Sequence, residues 1–256
     1  MQWLVASECG KLVAVRADKL PSPDALKRAL SNVLWVGGSV CAGKSSVATL
    51  LAERHGPRVY HFDRQEPFHI YRSVPEHQPH LIAFMAMTMD ERWVLRSPDE
   101  MARQSIAQWS EDRFPMVVDD LLGLPGTGAI IAEGAGLFPA QVEPLLSDRR
   151  AAIWLIASAE FIGQVRSVRG EAGGVAKLTS DPPRAFENLV ARDVLMAQYT
   201  RREAELRGLT TVDVDAQNVA DIADIVEQHF APLLESRVSR DLLALERDER
   251  ADQNAH

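Results

Sequence analysis

"VLWVGGSVCAGKSSVATLLAERHG", Val33 to Gly56, sets an apolar run, a glycine-bounded loop and an amphipathic stretch in immediate succession. Val33–Gly37 reads as a buried strand, and Lys44 to about Arg54 as a helix with Val47, Leu50 and Leu51 on one face. Between them Gly38, Gly43, Lys44 and Ser45 fit G-x-x-x-x-G-K-[ST], the spacing of a loop that wraps phosphates. The two glycines let the chain turn tightly, so that backbone N–H groups of Ser39, Val40, Cys41 and Ala42 can surround an anion. The helix opening at Lys44, Ser45 and Ser46 adds unpaired N–H groups and the positive end of its dipole. Lys44 supplies a point charge to the terminal phosphates, and the Ser45 hydroxyl suits Mg²⁺. The stretch therefore implies a bound nucleoside triphosphate, ATP or GTP, with Mg²⁺.

Outward from this loop the chain repeats the same theme. Short runs rich in β-branched and aliphatic residues recur at 58–62 ("RVYHF"), 129–133 ("AIIAE"), 151–156 ("AAIWLI") and 210–214 ("TTVDV"). They lack in/out alternation, as strands buried on both faces do, and helical patterns separate them. That is the signature of an α/β parallel sheet covered by helices. A long helix is expected from the Asp181 cap and the following prolines to about Arg207, ending at Gly208. Residues 64–128 are too many for a plain crossover and read as a helical insertion. Residues 1–31 form a short N-terminal extension, with two short strands expected within Leu4–Arg16 and a helix opening near "SPDALKRAL". The main domain is expected over 32–235, and the charged residues 236–256 as a helix end and tail.

The 256 residues carry a net charge of −8, which counts against the broad cationic surface of a nucleic-acid binder. Only Cys9 and Cys41 are present, a pair that reads as reduced thiols rather than a disulfide framework. The N-terminus lacks the basic start and long apolar run of a secretory signal, and "LIAFMAM" at Leu81–Met87 is too short to span a bilayer. A soluble, cytoplasmic protein with no membrane partner is expected. Oligomeric state is not legible.

Two acids fall at the carboxyl ends of expected strands, where open α/β sheets place their ligands: Asp63 after "RVYHF" and Glu133 ending "AIIAE". Carboxylates there can hold Mg²⁺ or its waters, and one can take a proton from an attacking hydroxyl. His61 reads as a packed strand residue, and His69, His77 and His80 lack the spacing of a metal site. Trp93 and Trp109 read as packing residues, and Asp119-Asp120 as a solvated helix face.

With these residues in place the chain resembles the small-molecule P-loop kinases related to nucleoside monophosphate kinases, shikimate and gluconate kinases, uridine kinase and chloramphenicol phosphotransferase. "GGSVCAGKSS" is similar to the phosphotransferase loop, "VYHFD" to the second-strand Asp, and "IIAEG" to the third-strand acid-glycine element of uridine-kinase-like enzymes. The resemblance covers about residues 32–230 and implies a three-layer P-loop NTPase fold with strand order 2-3-1-4-5. It implies a mobile lid after the fourth strand, over about 160–183. Arg166 and Arg169 of that lid would act with Lys44 on the transferring phosphoryl group, with Asp63 as base or substrate anchor. Ser45, Glu133 and Asp63 would serve the metal, and Arg192 a phosphate. The expected activity is ATP-dependent phosphoryl transfer to a hydroxyl or phosphate of a small-molecule acceptor. The alternatives are a nucleotide-binding switch with a protein partner and a nucleic-acid end kinase. The long insertion departs from the shorter family members and leaves the acceptor open.

Overall fold

Five parallel strands form the sheet: β1 (Val33–Gly38), β2 (Arg58–His61), β3 (Ile130–Glu133), β4 (Ala152–Ala157) and β5 (Thr211–Val214). Their order is β2-β3-β1-β4-β5, as expected. The computed structural model describes residues 22–126, 128–171, 174–215 and 218–234. The strands expected near the N-terminus and the charged tail lie outside these residues. Every residue of β1, β3 and β4 is buried, which requires cover on both faces and explains the missing alternation. Trp35 of β1 pairs in register with Ala132 and Ala152, and small neighbours make room for the indole. Trp154 of β4 is also fully buried, and its indole N–H donates to the Leu137 carbonyl at 2.8 Å.

Helix α1 (Pro23–Ala29) precedes the sheet and is capped by Ser22. Helix α2 (Lys44–His55) follows the loop and packs Val47, Ala48 and Leu51 into the core. The insertion after β2 is helical throughout: α3 (Glu66–Arg72), α4 (Pro79–Ala86), α5 (Met89–Trp93), α6 (Pro98–Ala107) and α7 (Phe114–Gly123). Thr88 with Glu91 and Ser97 with Glu100 close capping boxes that start α5 and α6. Between α6 and α7 the helix widens into a π-turn over Gln108–Arg113. Then come α8 (Pro139–Val142), α9 (Ala159–Glu171), α10 (Pro182–Leu206) and α11 over 219–234. Asp181 caps α10 as its sequence predicts, by accepting from the Arg184 amide. Among the described residues no helix is long and apolar enough to cross a membrane.

One expectation fails inside the insertion. Asp120 is not on a solvated face. It is half-buried and accepts from the Tyr60 hydroxyl at 2.7 Å, from His69 Nε2 at 3.0 Å and from Arg72 at 2.7 Å. Arg113 donates to the other ring nitrogen of His69 at 3.2 Å, so the His69 proton sits on Nε2 and the ring is neutral. Burial pushes the His69 pKa below its ordinary value; the Asp120 bond opposes this, and the Arg113 and Arg72 charges reinforce it. Burial alone would raise the Asp120 pKa, but its three donors outweigh that and hold it low.

Both shifts have the same sign for stability. Below pH about 6.5 an unfolded His69 takes up a proton that the folded one refuses, so stability falls with pH by at most about 1.4 kcal/mol per unit from this group. Asp120 adds a further loss at lower pH, as the medium approaches its depressed folded value. Denaturant titrations at pH 7.0 and 5.5 should show the drop, and His69→Gln should remove the part that sets in near 6.5. An unchanged slope in His69→Gln would refute the assignment.

Candidate functional site

The loop expected from the sequence is formed by its backbone conformation. Gly38 has φ +124°, and a Cβ there would stand 2.0 Å from the Leu155 carbonyl of β4. Only glycine lets β1 run this close to its neighbour before turning. Gly43 is the residue before α2 and is left-handed at φ +76°; no side chain caps the helix. The N–H groups of the first turn of α2 therefore stay available to an anion. Cys41 is the one non-glycine residue of positive φ among the described residues, at +69°, a strain of order 1 kcal/mol. Ser39 ties the loop to β4: its amide donates to the Leu155 carbonyl at 2.9 Å, and its hydroxyl accepts from the Ala157 amide at 2.8 Å.

Val40, Cys41, Gly43, Lys44, Ser45 and Ser46 line one small pocket of about 100 Å³, together with Asp63, Glu133 and Arg169. Ser39 and Ala42 are buried and are not among the lining residues. The Lys44 ammonium is buried and donates to the Ser39 carbonyl at 2.6 Å. Burial pushes its pKa down, and the nearby Asp63 and Glu133 carboxylates pull it back up. Burial likewise raises the Cys41 thiol, partly countered by Arg166, so the thiol is not an activated one.

Glu133 is the acid best set for a cation. Its Oε1 accepts from the Ser45 hydroxyl at 3.0 Å and lies 2.6 Å from His61 Nδ1. Its Oε2 is buried with no partner. A buried carboxylate oxygen left without a donor beside Ser45 fits a hydrated Mg²⁺. Among the described residues no three His, Cys, Asp or Glu side chains gather to hold a metal on their own. His61 is thus more than a packed strand residue, since β2 and β3 pair His61 with Glu133 in register. Asp63 lies one residue beyond the expected strand: Phe62 leaves the sheet, and Asp63 opens a short 3₁₀ turn, exposed to the pocket.

The arginines divide. Arg169, near the end of α9, is exposed and reaches the loop pocket. Arg166, one turn earlier, donates through Nε to Asp193 at 2.7 Å and is tied to α10 rather than free over the loop. Arg192 does not line the loop pocket. It is buried and donates to Ser105 Oγ at 3.1 Å, with its guanidinium 5.5 Å from the Trp93 ring. Its Nε stands 3.0 Å from Asp193, an ionic contact without aligned hydrogen-bond geometry. Arg192, expected at a phosphate, instead takes part in the packing of α10 on α6.

Beside the loop pocket, and sharing Arg169 with it, lies a cavity of about 380 Å³. Among the described residues its apolar wall is Val175, Ala176, Pro182, Phe186 and Leu189, with Arg166 on its rim. That volume is in the usual range for a small-molecule site. Nothing in the local sequence announces it, because three separate segments make the wall.

No family model and no curated protein matches the chain. Among solved structures it is similar to a shikimate kinase from Acinetobacter baumannii in complex with shikimate, with 15% identity, 80% of this chain and 98% of that one covered, and a TM-score of 0.44. It is similar to a gluconokinase from Sinorhizobium meliloti, with 17% identity, 81% and 95% covered, and a TM-score of 0.38. An uncharacterized protein from Eubacterium ventriosum is similar with 12% identity, 78% and 98% covered, and a TM-score of 0.37. At these TM-scores the likeness bears on neither substrate nor activity.

Proposed function

We propose that this protein transfers the terminal phosphoryl group of a bound nucleoside triphosphate to a hydroxyl on a small acceptor with an apolar body. The carrying observation is the single pocket shared by Lys44, Ser45, Glu133, Asp63 and Arg169. It combines a phosphate cradle, one carboxylate for a metal, one exposed carboxylate for a proton and one exposed cation. A nucleotide switch needs the first two of these but has no use for an exposed base beside an apolar cavity.

In this reading the loop amides and Lys44 hold the β- and γ-phosphates. Ser45 and Glu133 would hold Mg²⁺, which when bound neutralises charge on those phosphates. The acceptor hydroxyl gives its proton to the Asp63 carboxylate as its oxygen bonds to the γ-phosphorus. The bond from that phosphorus to the bridging oxygen breaks, and its electron pair leaves with the nucleoside diphosphate. Arg169 offsets the charge that spreads over the transferring oxygens. The aliphatic and aromatic wall beside Arg169 favours an acceptor that buries an alicyclic or aromatic body.

The test is acceptor-dependent release of ADP with Mg²⁺-ATP, across a panel of alicyclic and aromatic alcohols, sugars, nucleosides and 5′-hydroxyl oligonucleotides. Phosphate esters are followed by ³¹P NMR. An apolar alcohol that yields one ester per ADP supports the proposal. Tight nucleotide binding with no acceptor-stimulated turnover sinks it in favour of a switch, and an oligonucleotide acceptor favours an end kinase.

A further inference from the structure

Phe62 adjoins both site acids along the backbone. Its amide donates to the Glu133 carbonyl at 2.9 Å, and Asp63 follows it directly in the chain. Its ring is fully buried and meets the edge of Trp109 at 5.9 Å. A Cβ at Gly134 or Gly136 would come within 2.3 or 2.2 Å of the Phe62 side chain, so the ring is seated against the backbone that follows β3. The Phe62 carbonyl accepts from Arg113 Nη2 at 2.6 Å, and the Arg113 guanidinium lies 3.8 Å from the ring centre. One arginine of the insertion thus grips the backbone and the ring of the residue before Asp63.

Arg113 is itself held in place. It is the last residue of the π-turn, an irregularity that helices retain most often at functional sites. Its side chain is 1% exposed, and Glu66 at 3.6 Å is the acid nearest to it. Its Nε donates to His69 Nδ1, and the fully buried His69 donates its own Nε2–H to Asp120. Asp120 is held in turn by Tyr60 of β2 and Arg72 of α3. The line Asp120–His69–Arg113–Phe62 therefore joins α7, α3, the π-turn and the end of β2. None of these four residues lines the loop pocket among the described residues.

We infer that Arg113, oriented by His69 and Asp120, is a positioning residue that fixes the turn carrying Asp63. The insertion then serves the site rather than padding the fold. This rests on the reading of Asp63 as the base, so its test separates the two. Three quantities are measured on the full chain: hydrogen–deuterium exchange across 62–65, affinity for a fluorescent ATP analogue, and slow Mg²⁺-ATP hydrolysis with water as acceptor.

Arg113→Lys and His69→Leu should each speed exchange across 62–65 by about tenfold and lower turnover by about tenfold, since an ångström of misplacement is costly. Nucleotide affinity should stay within about twofold, because the loop is untouched. His69→Gln can accept from Arg113 and donate to Asp120 together, and should restore both readouts. In an Asp63→Ala background Arg113→Lys should add no further loss of turnover. Should Arg113→Lys fail to fold, the Leu and Gln variants of His69 decide the matter between them. Unchanged exchange, a further loss on top of Asp63→Ala, or equal behaviour of the Leu and Gln variants would overturn the inference. Faster exchange in a protein that shows no turnover at all would end the transfer reading while upholding the role of Arg113.

Discussion

Lys44→Met should yield a folded protein that has lost about 10²–10³-fold in nucleotide turnover, the range seen when one preorganised donor is taken from developing charge. The Lys44 ammonium is buried and spends its one described hydrogen bond on the Ser39 carbonyl, an arrangement that holds it beside the loop amides. Burial pushes its pKa down, which means that the fold carries the charged form at a cost. Methionine matches the stem in length and removes that cost, so the melting temperature should hold or rise while affinity for the ATP analogue falls at least tenfold. The contrast is what makes the variant informative. A residue kept for stability would lower the melting temperature on replacement, whereas one kept for phosphate would not. Turnover within twofold of the parent would refute the phosphate role.

Asp63→Asn should cut acceptor-dependent turnover by about 10²–10⁴-fold, the usual share of a general base. Asp63 is exposed to the loop pocket at the start of its 3₁₀ turn, so stability should move by less than about 0.5 kcal/mol. Nucleotide affinity should be kept, since asparagine removes a negative charge from beside the triphosphate. The amide is as large as the carboxylate and still accepts a hydrogen bond, so acceptor KM should change far less than kcat. A rise in KM with kcat intact would instead make Asp63 a substrate anchor and not the base.

Much of this site was legible before folding. Gly38, Gly43, Lys44 and Ser45 are four residues of one turn, and their chemistry depends on neighbours in the chain. Asp63 and Glu133 were legible because a parallel sheet brings the carboxyl ends of its strands to one edge. What could not be read were partnerships between segments. The pairing of His61 with Glu133 follows from β2–β3 register, which no local pattern states. Asp120 looked like a solvated acid since its three donors come from β2 and α3. Arg192 and Arg166 looked alike as lid or phosphate residues, and both proved to meet Asp193.

The conformation of the Gly38–Ser45 loop is therefore a property of the sequence: glycine φ and a following helix suffice to specify it wherever the segment lies. Strand identity was local too, because burial on both faces leaves an unbroken apolar run. Which arginine reaches the loop pocket, which acid keeps an unpaired oxygen and what encloses the apolar cavity were decided by tertiary structure alone. Each of these depends on the packing of α3, α7, α9 and α10 against the sheet, and packing joins residues that the chain keeps dozens of positions apart.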